Sequence, residues 1–123
     1  EEVKFDMGFT QQLPSATTRA GRLLRHVIPF SFRAYHQHMG LESLQVPDAV
    51  ALLAAIQPEL FEIQTMTGDI ETQGELTSGA TVFDHRPSSN WGYPLDVAQQ
   101  VDTVAAKDCI IRSLLAAGKQ SSL

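Results

Sequence analysis

Asp48 follows Pro47 and heads an apolar run, Ala49-Val50-Ala51-Leu52-Leu53. Two readings of that carboxylate stand side by side. It is a hard anionic oxygen of the kind Ca²⁺ collects among its about six to eight ligands. It is equally a first-turn acid, favoured by the helix dipole and by orphan N–H groups with no metal present. Tyr35, a ring with a hydroxyl, lies twelve residues before Pro47. Phe30, Phe32, Tyr35 and Met39 also form an apolar series that reads as core packing. His36 and His38 are two apart, so a regular helix points them to different faces and they cannot ligate one ion together. His38 does share a face with Tyr35, but exposed polar residues are the default for both histidines. Asp6, Asp69, Asp84, Asp96, Asp102 and Asp108 are isolated from one another, and no residue stands out as a general acid.

Composition narrows the classes. A chain of 123 residues with 43% hydrophobic content is sized for one ordinary soluble domain. Its net charge of −5 and nine scattered basic residues argue against a nucleic-acid surface, which needs clustered Lys and Arg. Arg19, Arg22, Arg25 and His26 are the exception; they read as a solvated helix face before an anion site. Cys109 is alone, which excludes an internal disulfide and a cysteine-based metal site; among Ile110, Ile111 and Leu114 it reads as a small buried hydrophobe. A lone thiol suits a reducing, cytoplasmic compartment. No apolar run approaches the ~20 residues of a membrane span, and no signal-peptide pattern appears. Gly-rich phosphate loops, a nucleophile elbow and zinc spacings are also missing. The chain opens Glu1-Glu2-Val3, so its start is expected to be trimmed or part of something longer.

Periodicity predicts the elements that must position these residues. Val3, Phe5, Met7 and Phe9 alternate with Lys4, Asp6 and Gly8, as in a strand with one buried face. Ser15 is the expected N-cap of a helix over 16–27 that carries Ala20, Leu23, Leu24 and Val27 on one stripe. Gly21 weakens that helix by up to ~1 kcal/mol relative to Ala. Pro29 is expected to interrupt it and to start a second helix over 30–39, closed by Gly40 at C′. Residues 47–56 are nearly all Ala, Val and Leu, the mark of a helix buried on most sides, and Pro58 stops it. Strands follow over 62–73 and 80–84, joined through Gly74 to Gly79. Trp91 with Tyr93 forms a contact patch or plugs the edge of a core. Tyr93, Leu95, Val97 and Val101 suit a third strand, whereas Asp96-x-x-Gln99 equally matches a capping box that starts a helix early. A last helix over 103–117 points Val104, Ile111 and Leu115 inward, with Gly118 closing it and 119–123 fraying. The class is α+β: helices with a small, mainly antiparallel sheet, in a single domain over 1–123.

The order Pro47-Asp48, then Pro58-Glu59-Leu60-Phe61, then Asp69-Ile70-Glu71-Thr72-Gln73-Gly74-Glu75-Leu76-Thr77-Ser78-Gly79-Ala80-Thr81-Val82-Phe83-Asp84 resembles the C-terminal part of the inosine-uridine-type nucleoside hydrolases. These are calcium-dependent enzymes that cut the bond between ribose and base. The resemblance runs from about Phe5 onward and implies the back end of a larger α/β domain on a mainly parallel sheet. It implies Asp48 as a ligand of the active-site calcium, Tyr35 as a border of the nucleobase, a nucleoside as substrate, and a strand up to Val101 with Asp102 as N-cap. Glu71 to Gly74 and Thr77 to Gly79 read as a tight strand connection, with Arg86 or Arg112 as a partner for Glu71.

Two departures matter. The family's N-terminal Asp-x-Asp-x-Gly-x-Asp-Asp cluster occurs nowhere in this sequence. Pro47 stands where many members place a His that protonates the leaving base, and proline has no proton to give. The expectation is therefore a C-terminal portion, or relic, of a nucleoside hydrolase with little or no hydrolysis as an isolated chain. The missing N-terminal half would complete it. The alternative is a non-catalytic domain that self-associates, as a homo-oligomer, or binds a partner, because cutting a larger sheet leaves an open edge and an apolar face.

Overall fold

The computed structural model describes residues 2–120. The chain gathers into two compact units, one made by residues up to Leu60 together with those from Val101 onward, the other by Phe61–Gln100.

In the first unit β1 (Lys4–Phe5) pairs antiparallel with β2 (Leu44–Gln45), Lys4 opposite Gln45 and Phe5 opposite Leu44. The strand expected through Phe9 stops at Phe5 because Asp6 turns the chain. Its Oδ1 accepts from Gly8 N at 2.8 Å and caps a 3₁₀ segment, Met7–Gln12. Alternation thus gives way to a helical repeat: the Phe5 and Phe9 rings stack with centroids 4.1 Å apart, and Met7 is left exposed.

One helix, α1 (Arg19–Met39), replaces the two expected. It starts later than Ser15 because residues 15–18 form a turn. Ser15 O accepts from Thr18 N at 3.0 Å and from Thr18 Oγ1 at 2.8 Å, and Thr18 Oγ1 then caps the helix by accepting from Gly21 N. Pro29 lies inside α1 without ending it. A proline there costs about 3 kcal/mol; Phe32, buried one turn on, supplies tertiary packing that overrides the local preference. Gly40 closes the helix in the left-handed region, at φ 65°, its N–H returning to His36 O at 3.0 Å. Arg25 is exposed, as expected of the solvated row, but its guanidinium is bonded. Its Nε and Nη2 donate to Pro14 O and Leu13 O at 3.0 and 3.1 Å and tie the incoming loop to α1.

α2 (Pro47–Ile56) begins with the proline in its first turn and ends where Gln57 N returns to Leu53 O at 2.8 Å. Pro58–Leu60 makes a 3₁₀ turn, and the chain leaves the unit. On its return Asp102 N donates to Leu60 O at 2.9 Å, and Asp102 Oδ1 caps α3 (Thr103–Gln120) by accepting from Ala105 N. α3 packs against both α1 and α2. Its inward residues are Ala106, Cys109 and Gly118 rather than Val104 and Leu115, which are exposed. Small side chains let the backbones close: a Cβ on Gly118 would stand 2.6 Å from Pro14 Cβ. That glycine is a packing residue within the helix and does not close it; residues 121–123 of the expected fraying end lie outside the described residues. α2 also differs from expectation, since only Leu53 of its ten residues is buried.

The second unit is a sheet in the order β4-β3-β5, from β3 (Phe61–Ile70), β4 (Thr81–Asp84) and β5 (Tyr93–Val101). β3 and β4 run antiparallel, from Thr67 opposite Asp84 to Ile70 opposite Thr81. Their connection is tight, as the glycines and hydroxyls suggested. Glu71 N donates to Ala80 O, Gly79 N returns to Glu71 O at 2.7 Å, and Gly79 takes φ 86°. The stretch after Gly92 is strand, so the capping-box alternative at Asp96 falls: its Oδ1 accepts from Thr65 Oγ1 across the sheet. Helices with small antiparallel sheets make the chain α+β.

Candidate functional site

Tyr35 and Asp48 are joined by one corner of the first unit: the end of α1, the Gly40 turn, β2 and the start of α2. Tyr35 is half-buried, and its Oη donates to Gln45 O at 3.4 Å, longer than a strong O–H···O bond. Gln45 is held from its other side too. Its Nε2 donates to Glu2 Oε2 at 3.1 Å, and Lys4 Nζ pairs with the same oxygen at 2.7 Å. The Lys4 hydrogen bond and charge hold the Glu2 carboxyl below its ordinary range. Three residues on from Gln45, Asp48 occupies the first turn of α2, whose N-cap, Val46, makes no side-chain capping bond. The Asp48 carboxylate is exposed and, among the described residues, in no ion pair.

The rest of the predicted neighbourhood does not assemble around this corner. His36 and His38 are exposed, and His36 Nδ1 pairs with Glu42 Oε1 at 2.9 Å. The apolar series containing Tyr35 is not one core ridge: Phe32 is buried, whereas Phe30 and Met39 are exposed. Among the described residues no three His, Cys, Asp or Glu side chains are grouped to hold a metal ion. One carboxylate is far short of the about six to eight oxygens that Ca²⁺ takes. The donors of the described residues do not fit that ion by themselves.

The acids of the C-terminal motif serve as local acceptors. Glu71 Oε1 accepts from Gln73 N and Gly74 N at 2.6 and 3.1 Å, and those bonds lower its carboxyl's pKa. Neither expected arginine reaches it. Arg112 pairs with Asp108 at 2.8 Å one turn away, and Arg86 closes on Asp84 through Nε and Nη2. Asp84 is buried and also accepts from Arg86 N at 3.0 Å and from Trp91 Nε1 at 2.7 Å. The Arg86 side chain, then its backbone N–H and the indole, hold the Asp84 carboxyl well below the usual carboxylate range. Trp91 is thus a pin for the loop rather than a free contact patch or a core plug.

Sequence reasoning passed over Gln45 and the Asp84–Trp91 bond. Gln45 was reachable, since Leu44-Gln45-Val46 is a short alternation able to face Lys4 and Phe5. The indole bond joins residues seven apart across a loop, for which spacing carries no signal.

Comparison with known proteins places the chain in a family. Residues 2–108 match the model of the inosine-uridine preferring nucleoside hydrolases. The non-specific ribonucleoside hydrolase RihC of Salmonella paratyphi A is 34% identical over 76 residues, which is 62% of this chain and 23% of the relative. Its counterpart in Salmonella enteritidis PT4 matches to the same extent. Among solved structures, the plant nucleoside hydrolase PpNRh1 superposes with a TM-score of 0.77 at 21% identity, over 93% of this chain and 38% of its own. The purine-preferring ribonucleoside hydrolase from Gardnerella vaginalis gives 0.79 at 22%, over 94% and 36%. At such identities the two structures speak to the fold alone. The aligned part of this chain spans about a quarter of the curated relatives and under two-fifths of the solved ones. With the family's model matched from residue 2 to residue 108, the chain belongs to the inosine-uridine preferring nucleoside hydrolase family.

Proposed function

We propose that this chain is the C-terminal portion, or a relic, of a calcium-dependent nucleoside N-ribosyl hydrolase acting in the cytoplasm. The observation that carries the reading is the Tyr35–Gln45 hydrogen bond, which ties the base-bordering residue to the strand that leads into Asp48. In the reaction the C1′–N bond breaks through an oxocarbenium-like state. Its electron pair leaves with the base, which takes up a proton, while a water oxygen bonds to C1′ and gives up one. Tyr35 borders the base. Its hydroxyl proton is directed at Gln45 O, so the ring is what it presents to the ligand. Asp48 would be one of the oxygen ligands of the calcium, the others coming from outside these residues. Pro47 has no proton to deliver, so the acid for the leaving base comes from elsewhere in the assembled site.

Because Asp48 is the one metal ligand that the family resemblance assigns here and Pro47 stands in place of the acid, the isolated 123 residues are expected to release little or no base. The test is release of free base or ribose from inosine and uridine by the purified chain, with added Ca²⁺, with chelator, and with Asp48→Ala. Calcium-dependent turnover that vanishes in Asp48→Ala would mean that a working site assembles from this chain alone, contrary to the proposal.

A second reading, a non-catalytic domain that pairs with its own copy, is favoured by the exposure of Leu52 and Ile56 on α2. Sedimentation as a monomer at micromolar concentration would remove it.

A further inference from the structure

A cavity of about 350 Å³ opens between Met7, at the head of the 3₁₀ segment, α1 and the turn after Gly40. Its apolar walls are Met7, Pro29, Phe32 and Leu41, and its polar ones include Arg33, His36 and Glu42. Pro29, Phe32, Arg33 and His36 follow the spacing i, i+3, i+4, i+7, so they share one face of α1. Met7, left 56% exposed where Asp6 turns the chain, completes the apolar side. Tyr35, Gln45 and Asp48 do not line it.

The charges of this cavity are unequally engaged. Glu42 Oε1 pairs with His36 Nδ1 at 2.9 Å, whereas Arg33 makes no hydrogen bond or ion pair among the described residues. The one unengaged charge in the lining is therefore a guanidinium. The helix that carries it has the same sign throughout: in a chain of net charge −5, α1 holds four arginines and no Asp or Glu. Small-molecule sites are commonly concavities of about 300–1,000 Å³, mostly apolar, with a few polar groups that fix orientation.

The geometry points to this cavity as a binding site for an amphipathic monocarboxylate. The hydrocarbon body lies against Met7, Pro29, Phe32 and Leu41, and the carboxylate accepts from Arg33, whose forked N–H donors match its two oxygens. A single negative charge suits the single free guanidinium; a dianion would bring a second charge to the side where Glu42 already stands. A neutral apolar ligand would gain nothing from Arg33. The site lies beyond the hydrolase reading and does not depend on it.

The test titrates the purified 123-residue chain with hexanoate and with hexanol and follows the shifts of assigned residues by NMR. Hexanoate is expected to bind saturably, with shifts at Met7, Phe32, Arg33 and Leu41, and about three- to tenfold more tightly than hexanol. Arg33→Gln is expected to bring hexanoate down to the affinity of hexanol and to leave hexanol unchanged, which separates a charge contact from lost packing. Met7→Glu, at a mostly exposed position, is expected to keep the parent's urea midpoint and to weaken both ligands by setting a charge in the apolar wall. Lys119→Gln, which removes a cation outside the lining, is expected to change neither.

No saturable binding at about 10 mM hexanoate would refute the site. So would equal affinity for acid and alcohol, or an Arg33→Gln chain that binds hexanoate as the parent does. Shifts centred on Leu53 and Leu114, in the apolar groove of about 190 Å³ between α2 and α3, would put the hydrocarbon elsewhere and refute it equally. Base release plays no part in these readings, so this site and the hydrolase reading stand or fall separately.

Discussion

Gly21→Ala sets two physical effects against each other, and the structure decides the sign. Helix propensity favours alanine over glycine inside a helix by up to about 1 kcal/mol, so the sequence alone predicts a more stable protein. The structure puts the backbone of the preceding turn where the new methyl would go. A Cβ at position 21 would sit 2.7 Å from Pro14 O and from the Ser15 carbonyl carbon, and closer still to Ser15 O. No flexible side chain can swing away. The turn is also fixed: Ser15 O accepts from Thr18 N and Thr18 Oγ1, and Pro14 O accepts from Arg25 Nε at 3.0 Å. Shifting it weakens two or three hydrogen bonds, each contributing about 0.5–1.5 kcal/mol. Overpacking of this kind usually costs about 1–3 kcal/mol. Contacts this close to backbone atoms belong in the upper part of that range, so net of the propensity gain Gly21→Ala is expected to destabilise the chain by about 1–2 kcal/mol. Urea unfolding followed by far-ultraviolet circular dichroism should show a lower midpoint with an unchanged slope, and thermal unfolding should fall by about 4 °C per kcal/mol. A variant as stable as the parent, or more so, would mean that the 14–15 turn does not lie against α1. The later helix start at Arg19 would then be wrong.

Three further outcomes follow from the same geometry. Leu53→Ala, at a buried position of α2, should cost about 2–5 kcal/mol in urea unfolding. Leu52→Ala, one residue earlier and 63% exposed, should cost about 0.5 kcal/mol or less. The Asp84 carboxyl is depressed in the folded chain, so its contribution is complete at neutral pH and is lost as pH falls below the ordinary carboxylate value of about 4. The lone tryptophan, Trp91, reports this directly: its fluorescence should change on acidification below that value, and Asp84→Asn should carry the change at pH 7. Tyr35→Phe removes a 3.4 Å bond and should lower stability by no more than about 1 kcal/mol, read in the same urea experiment.

What was legible in the sequence, and what was not, divides by the range of the forces involved. Pro47 at the head of α2, Gly40 at the end of α1, Asp102 before α3 and the glycine-rich link between β3 and β4 are local devices, and each appears where the sequence puts it. Rules at the same local range failed where packing overruled them, as when α1 ran through Pro29. The inward face of α3 was misjudged because burial there goes to Ala106, Cys109 and Gly118, small residues that let backbones approach, and a search for large aliphatics passes over them. α2 is the most informative mismatch. Its ten residues read as a helix buried on most sides, yet only Leu53 is buried. Its Ala, Val and Leu content permits burial on most sides, whereas among the described residues only the face at Leu53 is fully covered and Leu52 and Ile56 stay exposed. The shortfall lies on one stripe of the helix, Ala51, Leu52, Ala55 and Ile56, each exposed in the fold that the sequence builds.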